Sequence, residues 1–296
     1  MYGPVPLVTA VAGPGDDEML FTRIAENQIY EQIVLDLQDG VANLNNTHKS
    51  RASRAAAQAL LAKVYLTQEN RNYAGAQQLC EDIINSGEFS LQEDFHDVFY
   101  SELNDEIIFA VQYEFANTQE SQGFSAEFTA TTRQGRQDGL NIVNDNLVTD
   151  FITHGGNRTE VSYVVFPSFI EVTKYLPDGS DVSVFPPTYG GSPGNAGNDV
   201  IILRYADVLL MHAEAVMAGT GSTNDGSAIS SYMEVRTRAG FDPVADRPTT
   251  LSQSDLLIER RVELAFENQR FFDLLRFGVA DAIPVSYTHL TLPTKA

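Results

Sequence analysis

Glu259-Arg260-Arg261-Val262-Glu263-Leu264-Ala265-Phe266-Glu267-Asn268-Gln269-Arg270-Phe271-Phe272-Asp273-Leu274-Leu275-Arg276-Phe277-Gly278 is the stretch on which the reading of the fold turns. From Ile258 onward it reads as a helix, a turn and a short second helix closed by Gly278. Asn268 is placed at the turn, because a short polar side chain tolerates the left-handed backbone that ends a helix. Phe271, Phe272, Leu274 and Leu275 are expected to pack the second helix back on the first. The arginines and glutamates allow two uses, a ligand site or interhelical ion pairs that fix the corner. The structural use is favoured, since opposite charges at helical spacing usually support helices.

The segments around this corner are helical as well. Ile201–Ala218 (IILRYADVLLMHAEAVMA) reads as one strong helix, Gly219–Gly226 as its turn, and Ala228–Arg238 as a partner helix closed by Gly240. Near the other end, Thr22–Leu44 carries Ile24, Ile29, Ile33, Leu37 and Val41 at spacings that give one apolar stripe. After the polar break Asn45–Ser50, Arg51–Gln68 has Ala57, Leu60, Leu61 and Val64 at i, i+3, i+4 and i+7, with alanines that let helices approach closely. Tyr73–Ser86 follows and stops at Gly87, the residue best suited to a left-handed cap. Leu61, Ala62, Tyr65, Tyr73 and Ala76 fit the tetratricopeptide pattern of large residues nesting on small ones, once two extra residues are allowed in the turn. Cys80 then lies on the packing face, a buried small residue rather than a reactive thiol. The fold class is mainly α: tetratricopeptide-like helix hairpins at about residues 22–87 and 200–278, with a long irregular, loop-rich insertion containing short strands.

That insertion, residues 89–199, is rich in Gly, Asn, Thr, Pro and aromatics. Glu106–Tyr113 (EIIFAVQY) reads as a buried strand and Asn146–His154 as a short helix. Phe124, Phe128, Tyr163, Phe166, Tyr175, Phe185 and Tyr189 argue for order, because disordered segments are poor in aromatics. An ordered surface of loops on a rigid scaffold is where binding residues concentrate.

Charge and motifs narrow the function. With 19 Lys and Arg against 40 Asp and Glu, the formal charge of -21 disfavours nucleic acid, whose phosphates call for clustered cations. No apolar run is long enough to span a bilayer. No nucleotide-binding glycine loop, zinc-protease histidine pair or nucleophile elbow is present. His48, His96, His154 and His212 are scattered and read as surface or hydrogen-bonded helix residues, not metal ligands. Asp178-Gly179-Ser180-Asp181 lacks the alternating acids and terminal Glu of a calcium loop, so a plain turn is expected. No cofactor and no catalytic residue is assigned.

The corner segment resembles the C-terminal signature of the SusD-like (SusD/RagB) nutrient-binding lipoproteins, E-R-R-x-E-L-A-F-E-G-x-R-W-F-D-L-x-R-x-G, with Asn268 in place of glycine and Phe271 in place of tryptophan. Arg204–Ala215 (RYADVLLMHAEA), Arg236-Thr237-Arg238-Ala239-Gly240, Ala59–Leu66 (ALLAKVYL) and the opening Gly3-Pro4-Val5-Pro6-Leu7 are similar to the same family. The resemblance covers residues 1–283. It implies a lipid-anchored protein on the extracellular face of the outer membrane, without enzyme activity. Such a protein would capture glycans or peptides for a SusC-like TonB-dependent transporter. It also implies that this is an incomplete domain, with the anchor upstream, while Pro284–Ala296 (PVSYTHLTLPTKA) reads as a non-native adapter-derived tail. The alternative is a tetratricopeptide-type interaction scaffold inside the cell. Sugar rings stack their C–H faces on flat aromatics while polar side chains bond the hydroxyls. Because the chain has no Trp, Phe124, Phe128 and Tyr189 are the candidate platform, with Arg133 and Arg136 as hydroxyl partners.

Overall fold

The computed structural model describes residues 3–11, 13, 15, 21–129, 141–167, 169–185 and 187–282. Arg133, Arg136 and the 284–296 tail lie outside these residues.

Three helices open the fold: α1 (Glu26–Asn43), α2 (Arg54–Thr67) and α3 (Tyr73–Ser86). Helix α1 starts at Glu26 instead of Thr22, because the preceding residues turn back on the opening stretch. The Ile24 amide donates to the Val5 carbonyl at 3.1 Å, and Pro6 pairs with Arg23. The stripe Ile29, Ile33, Leu37 and Val41 is half-buried. Ser53 caps α2 by accepting from the Ala56 amide at 3.1 Å, and Asn72 caps α3 by accepting from the Gly75 amide at 2.9 Å. Gly87, with φ of 67°, ends α3 as its position indicates.

The middle region supplies α4 (Asp97–Tyr100), β1 (Ile107–Val111), a 3₁₀ turn over Phe124–Phe128, α5 (Asp145–His154) and α6 (Arg158–Ser162). The short hairpin β2 (Tyr163–Val165) and β3 (Ile170–Val172) comes next. The chain then enters β4 (Val200–Arg204), α7 (Tyr205–Met217), β5 (Ser222–Thr223), α8 (Gly226–Arg238), β6 (Leu251–Ser252), α9 (Gln253–Glu263) and α10 (Arg270–Arg276). Helix α3 packs on α7 and α7 on α8, so the two distant hairpins form one stack. Their shared core sets Ala59, Ala62 and Leu66 against Ala76, Cys80 and Ile83, and then against Leu209, Leu210, Ala213 and Met233. Alanine at the contacts brings the backbones close, and the leucines fill the space between them.

Two expectations are corrected. Ile201–Arg204 is a strand, not the first turn of the long helix. Its apolar residues, Ile201 and Ile202 among them β-branched, pair antiparallel with β1 in the register Ala110↔Ile201 and Phe109↔Leu203, and α7 begins only at Tyr205. In α10, Phe272 and Leu275 face outward, 43% and 46% exposed, and Phe271 is half-buried. Leu274 packs inward as expected, but beside Asp273 and Arg276. The inner face of α10 is therefore chosen by charge pairing as much as by apolar area.

That pairing belongs to a buried ionic frame. Arg158, Arg204, Arg260, Glu106, Glu259, Glu263 and Asp273 are all within 1% of complete burial. Glu263 accepts from Arg158 at 2.7 Å and from Arg204 at 2.5 Å, and it also pairs with Arg238. Glu259 accepts from Arg158 at 2.5 Å and Arg236 at 3.0 Å. Glu106, just before β1, accepts from Arg204 at 2.7 Å and Arg238 at 3.0 Å. Behind the α9–α10 turn, Arg260 lies 2.8 Å from Asp207 and 2.9 Å from Asp273, as ion pairs whose N–H groups are not aligned for hydrogen bonds. Asp207 also takes Lys63 at 2.6 Å, and Arg276 donates to Glu214 at 2.7 Å. The ion-pair reading of the corner charges is correct in kind. The partners, however, are mostly on other elements, not on neighbouring turns of one helix.

Candidate functional site

Phe124 and Phe128 come together. They sit on the 3₁₀ turn with rings 6.1 Å apart at 88°, and each also packs on Tyr175, at 5.3 Å and 4.8 Å. They form one wall of an apolar cleft of about 630 Å³ whose other walls include Leu60, Ile202, Phe266, Phe272 and Leu275. The left-handed residues Phe266 and Asn268, φ 68° and 58°, shape the floor. Between them Glu267 turns inward to Arg204 and Lys174, at 2.8 Å and 2.7 Å. Because the phenylalanine rings clasp one another edge to face, they present edges more than open faces. Tyr189 is elsewhere and is held by a hydrogen bond from its hydroxyl to Glu171 at 2.7 Å.

A second concavity, of about 280 Å³, opens at the far end of the β1–β4 ribbon. Its walls are Val98–Glu102 from α4 and the two residues after it, Tyr113–Phe115 beyond β1, the Pro177–Asp178 turn, and the glycine-rich run Gly190, Gly191, Gly197, Asn198 and Asp199 leading into β4. Phe115 is 54% exposed, yet it is braced from behind. A side-chain carbon at Gly191 would come within 2.8 Å of its ring, and one at Gly197 within 2.9 Å of its backbone. Glycine at both positions is what allows the run to lie flat against this aromatic.

Two of the residues lining this cavity carry buried acceptors without a partner among the described residues: Asn198 Oδ1 and Asp199 Oδ2. Their sister atoms are fixed. The Asn198 amide donates to the Leu176 carbonyl at 2.9 Å, and Asp199 Oδ1 accepts from the Tyr113 amide at 3.1 Å. Each side chain is thus held by one atom, with the other left unpaired. Burial, with nearby Glu102, pushes the Asp199 carboxyl up to about 6. A buried acceptor left open costs free energy unless a ligand or water satisfies it, which marks this as a place for hydroxyl donors. A shallower concavity of about 160 Å³ adjoins it across Tyr100, Pro177 and Asp178 and continues toward His96 and Ser180.

Asp178–Asp181 is the plain turn expected. Gly179 has φ of 76°, its amide donates to Asp178 at 2.8 Å, and Ser180 donates to the Pro177 carbonyl at 2.5 Å. Among the described residues no group of three His, Cys, Asp or Glu is arranged to hold a metal. His212 is a buried helix histidine with Nδ1 2.9 Å from Ser231. Burial, with Asp207 nearby, raises the Cys80 thiol above its ordinary range, which fits the structural role. Tyr113, Phe115, Asn198 and Asp199 were not singled out from sequence. The available signal was the glycine-rich run Gly190–Gly197, whose spacing permits close approach to a large side chain without saying which one.

Residues 175–288 match the SusD family, a span that contains β4, both downstream helices of the stack and the whole ionic corner. Over that span the chain is similar to the SusD family. It is 26% identical over 326 residues to SusD-like protein P2 of Formosa agariphila, covering 96% of this chain and 62% of that protein. The chain therefore spans less than two thirds of that relative. Among solved structures, a laminarin binding SusD-like protein superimposes with a TM-score of 0.75 at 22% identity, over 98% of this chain and 69% of that one. Surface glycan-binding protein A from Bacteroides thetaiotaomicron in complex with laminarihexaose gives 0.65 at 21% identity, over 88% and 63%. These likenesses establish the mainly helical SusD-like fold.

Proposed function

We propose that this chain binds oligosaccharides at the cell surface, without turning them over, and hands them to a SusC-like TonB-dependent transporter. The cavity beside Phe115 is the observation that carries the reading. It combines a braced aromatic with two buried, unpaired oxygens at Asn198 and Asp199. A pyranose ring would lay its C–H face on Phe115 and donate hydroxyls to those oxygens, the division of labour that sugar recognition requires. At about 280 Å³ the cavity is at the small end of ligand sites, which run about 300–1,000 Å³. It suits one or two rings of a chain whose remainder lies across the adjoining concavity. The glycan-bound fold neighbours support this reading over that of an intracellular scaffold. Outer-membrane anchoring and the transporter partner rest on the family resemblance, and co-purification with the transporter encoded beside it tests them.

The binding test is calorimetric titration with laminarihexaose. Loss of a stacking residue costs about 0.5–1.5 kcal/mol by analogy with aromatic contacts, so Phe115→Ala is expected to weaken binding by about threefold to tenfold. Phe124→Ala is expected to leave it within about twofold, since that ring is engaged by Phe128 and Tyr175. Equal affinity in the Phe115→Ala protein would refute the assignment of the site.

A further inference from the structure

The charged side chains of this site are one-sided. Glu102, Glu114, Asp178 and Asp199 line the cavity beside Phe115, and Glu160 joins Asp178 in the adjoining concavity. Among the described residues no Lys or Arg lines either one, and His96 is the only basic group present. The hydrogen-bonding capacity has the same polarity. The two unpaired buried atoms are both acceptors, and the Asp178 carboxylate can take further donors beyond the Gly179 amide. A ligand for this surface must bring hydroxyl donors and no negative charge.

We infer that the site selects uncharged oligosaccharides and rejects uronate-containing or sulfated ones. This deepens the proposed function and rests on it. A carboxylate or sulfate on every sugar would face several acids of the lining at close range, and would present acceptors to acceptors. Like charges brought together across an interface are strongly unfavourable, and the partly water-excluded floor at Asn198 and Asp199 weakens the screening that would relieve them. A neutral sugar meets neither obstacle. Each hydroxyl can donate to an open oxygen while its C–H face lies on Phe115. A basic peptide would satisfy the charges, but its cationic side chains lack the array of neighbouring hydroxyls that the paired acceptors at Asn198 and Asp199 call for.

The experiment compares probes of equal length on the intact chain: laminarihexaose, its sulfated form, hexagalacturonate and a lysine-rich peptide, each at about 10 mM and 150 mM salt. Laminarihexaose is expected to bind with an affinity that changes less than about twofold with salt, as for an uncharged ligand. The two anionic chains are expected to bind at least about tenfold more weakly at low salt, with the gap narrowing as salt rises. In the Glu102→Gln/Glu114→Gln protein, whose changes lie at exposed positions of the lining, that gap should shrink while laminarihexaose binding persists. Anionic chains binding as tightly as the neutral one would overturn the selectivity and leave glycan binding standing. Tight binding of the peptide with none of the glycans would overturn both. Failure of every probe, with the far-UV spectrum intact, would remove the proposed function and the selectivity with it.

Discussion

Replacing Arg204 by methionine removes the cation at the centre of the ionic frame while keeping most of its volume. In the native protein Arg204 donates to Glu106 at 2.7 Å, to Glu263 at 2.5 Å and to both oxygens of Glu267 at 2.8 Å, and also to the Glu263 carbonyl at 2.8 Å. All of these groups are buried. Glu106 and Glu263 keep Arg238, Glu263 keeps Arg158 as well, and Glu267 keeps Lys174. No carboxylate is stranded outright, but three lose a partner and one backbone carbonyl loses a donor. Breaking a buried ion pair from one side costs about 3–5 kcal/mol, because the surviving charge stays buried with less compensation. The remaining cations hold the expected loss inside that range, although four acceptors are affected. For a chain of this size that corresponds to a fall in Tm of roughly 5–8 °C. The assay is urea unfolding followed by circular dichroism, with the half-exposed pair Lys49–Asp105, at 3.7 Å, as control. Asp105→Asn should cost less than about 1 kcal/mol. A loss below about 1 kcal/mol for Arg204→Met would show that the frame is no more than an expensive way of filling the interior.

The frame also predicts acid sensitivity. Against the opposing effect of burial, Lys63 and Arg260 hold the Asp207 carboxyl well below its usual range, and Arg238, Arg204 and Arg158 do the same for Glu263. Stability from such groups is present above the ordinary carboxylate pKa and lost as pH falls through the folded value. Urea midpoints should therefore fall steadily as pH is lowered from about 5, and a flat profile over that range would contradict the assignment. At the proposed site, Asp199 titrates near 6 and is a stronger acceptor when ionised. Oligosaccharide affinity should rise with pH through that value, and the rise should vanish in Asp199→Asn. Cys80, fully buried with its thiol pKa raised, should react with a thiol reagent only as fast as the protein unfolds. Labelling at the rate of a free thiol in native buffer would disprove its packing.

The helical scaffold was legible because it is written in local terms. Alanine-rich stripes, the polar break Asn45–Ser50 and the stop at Gly87 act within one or two turns of chain. Ile201–Arg204 misleads for the same reason. Its apolar run joins smoothly to the helix that begins at Tyr205, and only the distant partner Ile107–Val111 makes it a strand. The corner charges were assignable to structure, but their partners were not. Glu106 and Arg204 are 98 residues apart, and no spacing rule reaches that far. The site was the least legible part. Phe124 and Phe128 were legible as loop aromatics, but not as neighbours that the 3₁₀ turn packs on each other. Phe115 looked ordinary in sequence, and its exposure depends on glycines more than 70 residues later.

The ionic frame and the candidate site are joined by one element, which gives the unusual interior a functional sense. The β1–β4 ribbon begins in the frame, where Glu106 meets Arg204 and the Tyr205 amide donates to the Glu106 carbonyl at 2.8 Å. It ends at the cavity, where Val111 pairs with Val200 and the next residues out are Tyr113, Phe115, Asn198 and Asp199. Two strands alone are marginally stable in water, and a site carried on their free end would be too loose to hold an aromatic and two acceptors in register. Apolar packing would bury the ribbon's base but would tolerate sliding, since such contacts are not directional. Arginine forks that bond three carboxylates at set angles do not tolerate it. The base of the ribbon is thus fixed in position as well as in depth, and the loops beyond its other end inherit that position.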